Sequence, residues 1–104
     1  MIKEVTDLEF DRVVEGATVP VLVLFWKPGC GGCRALTRVL ERLQKEVQEK
    51  ASFLKMNVEE QHQIPAELEI NSLPALALYR EGLFARFIGG MGTKEEILRQ
   101  LALP

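Results

Sequence analysis

The sequence predicts an α/β fold: a central mixed five-stranded sheet with helices on both faces. Three observations predict it. Apolar residues switch repeatedly along the chain between the two-residue period of a strand and the 3.6-residue period of a helix. The run VPVLVLFW, residues 19–26, is apolar without polar alternation, as in a strand covered on both faces. Two further apolar runs flank Glu81-Gly82, a turn signal that makes them a hairpin.

The elements follow in order. Residues 2–5 form a short first strand. Thr6 or Asp7 then offers an N-cap. Phe10, Val13, Val14 and Ala17 recur at helical spacing, so residues 7–16 read as a helix stopped at Gly16. Residues 19–26 form the central strand. A long helix begins around Cys33, with Ala35, Leu36, Val39, Leu40, Leu43 and Val47 as its apolar stripe. On its other side, Arg42–Glu46 and Glu41–Lys45 are spaced as i,i+4 pairs, and Arg34, Arg38 and Arg42 make a basic ridge. That ridge is either a solvated face or the docking edge of an acidic partner.

Residues 51–58 form a third buried strand, and a polar stretch with Pro65 leads to a brief helix at 66–69. ALALYR, residues 75–80, is the fourth strand, and LFARFIG, residues 83–89, the fifth. Gly89, Gly90 and Gly92 loosen the chain before TKEE, a capping box with Thr93 as cap and Glu96 at the third helical position. Ile97, Leu98 and Leu101 face inward from the last helix. The early crossovers predict parallel strands and the final hairpin an antiparallel extension.

Composition narrows the function. The 104 residues suit one domain, residues 1–104, and 47% hydrophobic with 27% charged is ordinary globular balance. A net charge of −2 with no strongly basic segment excludes a general nucleic-acid footprint. The longest apolar run has eight residues, too short to cross a bilayer. The N-terminus carries acids and no apolar core of a signal peptide, so a cytoplasmic location is expected. In that compartment an isolated Cys-x-x-Cys pair points to redox chemistry or to metal.

Cys30 and Cys33 are that pair, and the chain has no other cysteine. They lie between a buried strand and a long helix, where free backbone N–H groups and the helix dipole favour negative charge. A thiol held there ionises more readily than a free one, and the thiolate is the species that attacks a disulfide. Cys30, the earlier and more exposed, is the expected nucleophile, and Cys33, already in the helix, the expected resolver. Two rival readings stay open. Cys30, Cys33 and His62 are three potential metal ligands where a closed zinc site needs four, though a dimer could bridge zinc or an iron–sulfur cluster with two such pairs. Alternatively the domain is a binding module whose cysteines are idle or regulatory.

The sequence resembles the thioredoxin family along essentially its whole length. VLVLFWKPGCGGCRAL is similar to the family stretch V-L-V-D-F-W-A-x-W-C-G-P-C-[KR]-x-L, FLKMNVEE to its third strand, and INSLPALALYREG to its I-x-[GS]-[IV]-P-T-L-x-x-[FY]-x-x-G segment. The resemblance implies a thioredoxin fold and a protein dithiol–disulfide oxidoreductase working in electron transport and cell redox homeostasis. It implies that Cys30 and Cys33 close a redox-active disulfide, with no bound cofactor and no metal. Pro74 inherits a cis peptide facing the cysteines. The backbone of Leu73 inherits pairing with an extended substrate peptide, beside a loop at Gly89 and Gly90 and the active-site glycines Gly29, Gly31 and Gly32. Trp26 and Lys55 inherit supporting places, with Trp26 near a carboxylate after the third strand, where Glu59 stands. The implied partners are a thioredoxin-reductase-like donor, dependent on flavin and NADPH, and disulfide-containing target proteins. A monomer is expected, without nucleic acid or membrane.

The sequence also departs from the family. Leu24 stands where a buried aspartate is usual, leaving Lys55 without its neighbour. Gly29 replaces a tryptophan, and Met91 is an alternative source of apolar contact surface. Gly32 replaces a proline, which predicts a more oxidising pair. Lys27 replaces an alanine, Arg38 a proline that kinks the long helix, and Ala75 a threonine.

Overall fold

A computed structural model describes residues 1–103. Its elements are β1 (Lys3–Glu4), α1 (Asp7–Glu15), β2 (Val21–Trp26), α2 (Gly31–Val47), β3 (Ser52–Asn57), α3 (Gln63–Glu67), β4 (Ala75–Arg80), β5 (Leu83–Phe87) and α4 (Lys94–Leu101), with a 3-10 turn at Gln48–Lys50. The sheet order is β1-β3-β2-β4-β5. β3 pairs parallel with both β1 and β2. Antiparallel pairing begins at β4 against β2, one strand before the hairpin where the sequence suggested it.

β2 explains the two-sided architecture. Leu22 and Leu24 point to one face, with Phe53, Leu76, Leu78 and the α2 and α4 side chains. Val21, Val23 and Phe25 point to the other, with Leu54, Met56, Ala77 and the helices α1 and α3. Each fully buried Val, Leu or Phe contributes about 1.5–3 kcal/mol, so a strand buried on both faces is a large share of the fold's cohesion. β5 contrasts with it. Every residue from Leu83 to Phe87 is exposed, Leu83 at 72%. Phe84 instead stacks edge-on between Tyr79 and Phe87 at centroid distances of 5.7 and 5.1 Å.

The helix ends follow local chemistry. Thr6 and Glu9 form a complete capping box on α1. At α4 only half of the expected box forms. Thr93 accepts the Glu96 N–H, but the Glu96 carboxylate turns to Arg99. In α2, Leu36, Leu40, Leu43 and Val47 are buried, whereas Ala35, expected in the stripe, is exposed. The expected Arg42–Glu46 and Glu41–Lys45 pairs do not form among the described residues; Glu46 binds Lys94 instead and ties α2 to α4.

α3 begins earlier than the expected 66–69. The reason is remote: the Asp7 carboxylate accepts the N–H groups of His62, Gln63 and Ile64 at 2.7, 2.9 and 2.8 Å. Pro65 then fits inside the first turn, where a missing N–H costs nothing. Burial of Asp7 acts to raise its pKa, but the Ile64, Gln63 and His62 N–H groups and the nearby His62 outweigh it and hold the carboxyl below its ordinary value.

Candidate active site

The cysteine loop is built by a turn. Lys27, Pro28, Gly29 and Cys30 close it, with the Cys30 N–H donating to the Lys27 carbonyl at 3.3 Å. Proline second and glycine third, the glycine at φ +83°, is the signature of a type II turn. Gly29 is therefore required by the backbone where the sequence suggested only a lost aromatic. The turn delivers Cys30 to the N-cap of α2, with extended backbone and its Sγ accepting the Cys33 N–H at 3.1 Å. Cys30 is partly exposed, whereas Cys33 is 2% exposed. The two are joined as a disulfide with Cα atoms 5.2 Å apart, within the ordinary range.

Pro74 closes over the loop. The Leu73–Pro74 peptide is cis. Its ring lies so near Gly32 that a Cβ there would sit 3.2 Å from Pro74 Cδ. Hollows open on either side. One, about 310 Å³, lies among Gly32, Leu36, Val39, Pro74 and Met91. The other, about 450 Å³, lies among Cys30, Val58, Pro65, Ile70 and Leu73. Among the described residues, neither the N–H nor the C=O of Leu73 has a hydrogen-bond partner. Met91 both packs against the core and lines this face. Gly89 and Gly90 stand between Ile88 and Met91 but do not themselves line the hollows; Gly89 is held by its N–H and C=O to the Gln100 side chain of α4.

Trp26 and Lys55 sit together on the other side of the disulfide. Lys55 Nζ lies 5.3 Å from the indole centroid. The indole N–H donates to Glu4 at 3.3 Å, and Glu4 lies 3.8 Å from Lys55. The carboxylate that takes the indole N–H is thus Glu4, where the resemblance pointed to Glu59. Parallel pairing of β1 with β3 sets Glu4 opposite Lys55, a register that sequence alone left undefined. Leu24 is wholly buried and also in register with Lys55.

The remaining candidates are dispersed. His62 is exposed at the N-cap of α3, its Nε2 3.2 Å from the Glu59 carbonyl. Among the described residues no group of three or more His, Cys, Asp or Glu is arranged to hold a metal ion. Lys27 is exposed beside the loop, and α2 runs unbroken through Arg38. Ala75 opens β4 and lines a third hollow with Ile88 and Met91. Among the described residues no helix is long and apolar enough to cross a membrane.

Comparison with known proteins gives a consistent result. The family model for thioredoxin matches residues 1–102. A thioredoxin of Rickettsia felis is 40% identical over 82 residues, covering 79% of this chain and 78% of its own. A thioredoxin of Listeria monocytogenes is 36% identical over 97 residues, covering 93% and 92%.

Proposed function

The chain belongs to the thioredoxin family, and on that footing we propose that its thiol–disulfide oxidoreductase activity runs through Cys30 as attacking thiolate and Cys33 as resolving thiol. The observation that carries this reading is the position of Cys30 at the N-cap of a 17-residue helix, its sulfur accepting the Cys33 N–H. In the reduced protein the same N–H and the helix dipole favour a thiolate at Cys30.

Catalysis then follows as two exchanges. The Cys30 thiolate attacks one sulfur of a substrate disulfide. That disulfide breaks, and the departing substrate thiolate takes a proton. Cys33 loses its proton and attacks the Cys30 sulfur, closing the protein disulfide and releasing the second substrate thiol. Two electrons have passed to the substrate. Leu24 offers no carboxylate at the family's proton-transfer position, so the Cys33 proton leaves to the departing thiolate or to water.

The substrate peptide pairs with the free N–H and C=O of Leu73, across Pro74, with Gly29, Gly31 and Gly32 on one side and Gly89 and Gly90 on the other. Trp26 and Lys55 support the loop from below. The redox group is the Cys30–Cys33 disulfide, with no bound cofactor. The chain acts as a monomeric domain in the cytoplasm, reduced by a thioredoxin-reductase-like donor and reducing disulfide-containing target proteins.

Insulin disulfide reduction driven by dithiothreitol tests the reading without a natural partner. The wild type should accelerate it, and Cys30→Ser should fall to the uncatalysed rate. Activity retained in Cys30→Ser, or none in the wild type, would remove Cys30 from this role.

A further inference from the structure

A fourth hollow, beside the disulfide, differs from the three around Leu73 and Pro74. It holds about 420 Å³, within the size range of small-molecule sites, and includes none of Leu73, Pro74 or Met91. Cys33, Thr37 and Glu41, at i, i+4 and i+8 of α2, run along one side, a length of about 12 Å. Arg34 and Arg38 of the same helix, Trp26 of β2, Lys55 of β3 and Lys27 of the loop before Cys30 complete its charged and aromatic lining.

Its charge is one-sided. Four cations line it against one carboxylate, Glu41. Lys55 is engaged by Glu4. Lys27, Arg34 and Arg38 have no carboxylate within 4 Å among the described residues. The hollow beside Gly32 and Met91, by contrast, carries no charged residue, and the one beside Leu73 carries only Lys27. The disulfide therefore lies on a boundary between a neutral face and a cationic trough. The amino end of α2 adds its positive potential to the trough.

We propose that this trough receives the carboxylates of small acidic disulfides and thiols, so that the Cys30–Cys33 pair exchanges preferentially with anionic low-molecular-weight partners. A small molecule fits better than an acidic protein because the trough is of small-molecule size and does not include Leu73, whose free backbone would take an extended peptide. The exchange step rests on the proposed roles of Cys30 and Cys33; binding of the anion does not. In that step the Cys30 thiolate attacks one sulfur of the acidic disulfide and releases one acidic thiolate. Cys33 then displaces the second as its thiol is deprotonated. The acidic disulfide is reduced by two electrons and the protein dithiol is oxidised.

Two measurements test the proposal. In the first, oxidised protein, which has no thiol to exchange, is titrated with 3,3′-dithiodipropionate or with cystamine while the Trp26 indole N–H signal is followed by NMR. The dianion should shift that signal saturably and the dication should not; equal responses, or none to the dianion, overturn the proposal. In the second, reduced protein is mixed with dithiodipropionate or neutral hydroxyethyl disulfide, and each rate is divided by that of free dithiothreitol. The anionic-to-neutral ratio should be about tenfold at low salt, as expected of electrostatic focusing in a charged cleft, and should collapse toward parity in high salt. It should also collapse in the Arg34→Gln/Arg38→Gln double variant. A ratio at parity while hydroxyethyl disulfide is reduced overturns the trough and leaves the roles of the cysteines standing. A saturable dianion shift without reduction of either disulfide upholds the anion site and overturns the exchange roles.

Discussion

The Pro74 ring packs against the α-carbon of Gly32, leaving 3.2 Å where a Cβ would go. Gly32 is the second residue of α2, a position where alanine is worth up to about 1 kcal/mol over glycine. Here that gain meets crowding, which typically costs about 1–3 kcal/mol when the neighbour is packed. Gly32→Ala should therefore be no more stable than the wild type, and insulin reduction should fall several-fold as Pro74 is pushed off its place. Urea unfolding and the insulin assay check both. A gain close to the full propensity difference would mean that Pro74 yields freely.

The same glycine bears on redox poise. In the reduced protein, with no cross-link, Gly32 has more backbone freedom than the family's proline and loses more of it on ring closure. Substitutions of this kind are worth about 0.4–1 kcal/mol, equivalent to about 10–20 mV for a two-electron couple. The Cys30–Cys33 couple should accordingly lie above the roughly −270 mV of an ordinary thioredoxin. Equilibration against a dithiothreitol buffer measures it, and a value at or below that figure rejects the idea.

Leu24 invites restoration of the acid. It is fully buried among Leu22, Leu40 and Leu76, in register with Lys55. Leu24→Asp removes apolar contact and buries a carboxyl, for a loss of about 3–5 kcal/mol. It also sets a proton acceptor in the core beneath α2, so turnover should rise where deprotonation of Cys33 limits the rate. Thermal unfolding and steady-state insulin reduction test the trade. A variant that is as stable as the wild type and no faster would show that the position matters to neither.

Much of this was legible in the sequence wherever local chemistry decides. Residues 75–80 and the Glu81-Gly82 turn are where the pattern put them, because both turn residues adopt positive φ, +52° and +80°, as a tight hairpin demands. The strand 19–26 lost only its first two residues. Errors arose where a distant residue decides. α3 starts at Gln63 because Asp7, across 56 residues of chain, takes its free N–H groups. Glu4 takes the Trp26 indole N–H because a two-residue edge strand fixes the register. Ala35 lies at a helical position that suits a core, yet the sheet does not reach it. The cysteine pair was legible from spacing, while the cationic trough needed Lys27, Arg34, Arg38 and Lys55 to be brought together from three segments.

Asp7 gives a prediction in pH. Its carboxylate joins α1 to the start of α3, and α3 carries Pro65 into the wall of the hollow beside Cys30. Burial pushes the carboxyl upward, but the Ile64, Gln63 and His62 N–H groups prevail, so the folded value lies below the ordinary 3.8. A group with a depressed folded pKa contributes stability above its unfolded pKa and loses it as pH falls through the folded one. Asp7→Asn keeps one acceptor but turns an N–H₂ toward those donors, and should cost about 1–2 kcal/mol at neutral pH. The gap between variant and wild type should stay constant from neutrality down to about pH 5 and narrow below about pH 4, as Asp7 itself takes up a proton. Urea unfolding of both proteins from pH 3 to pH 7 measures it, and a gap that persists undiminished at the acid end would mean that the charge of Asp7 is not what holds α3.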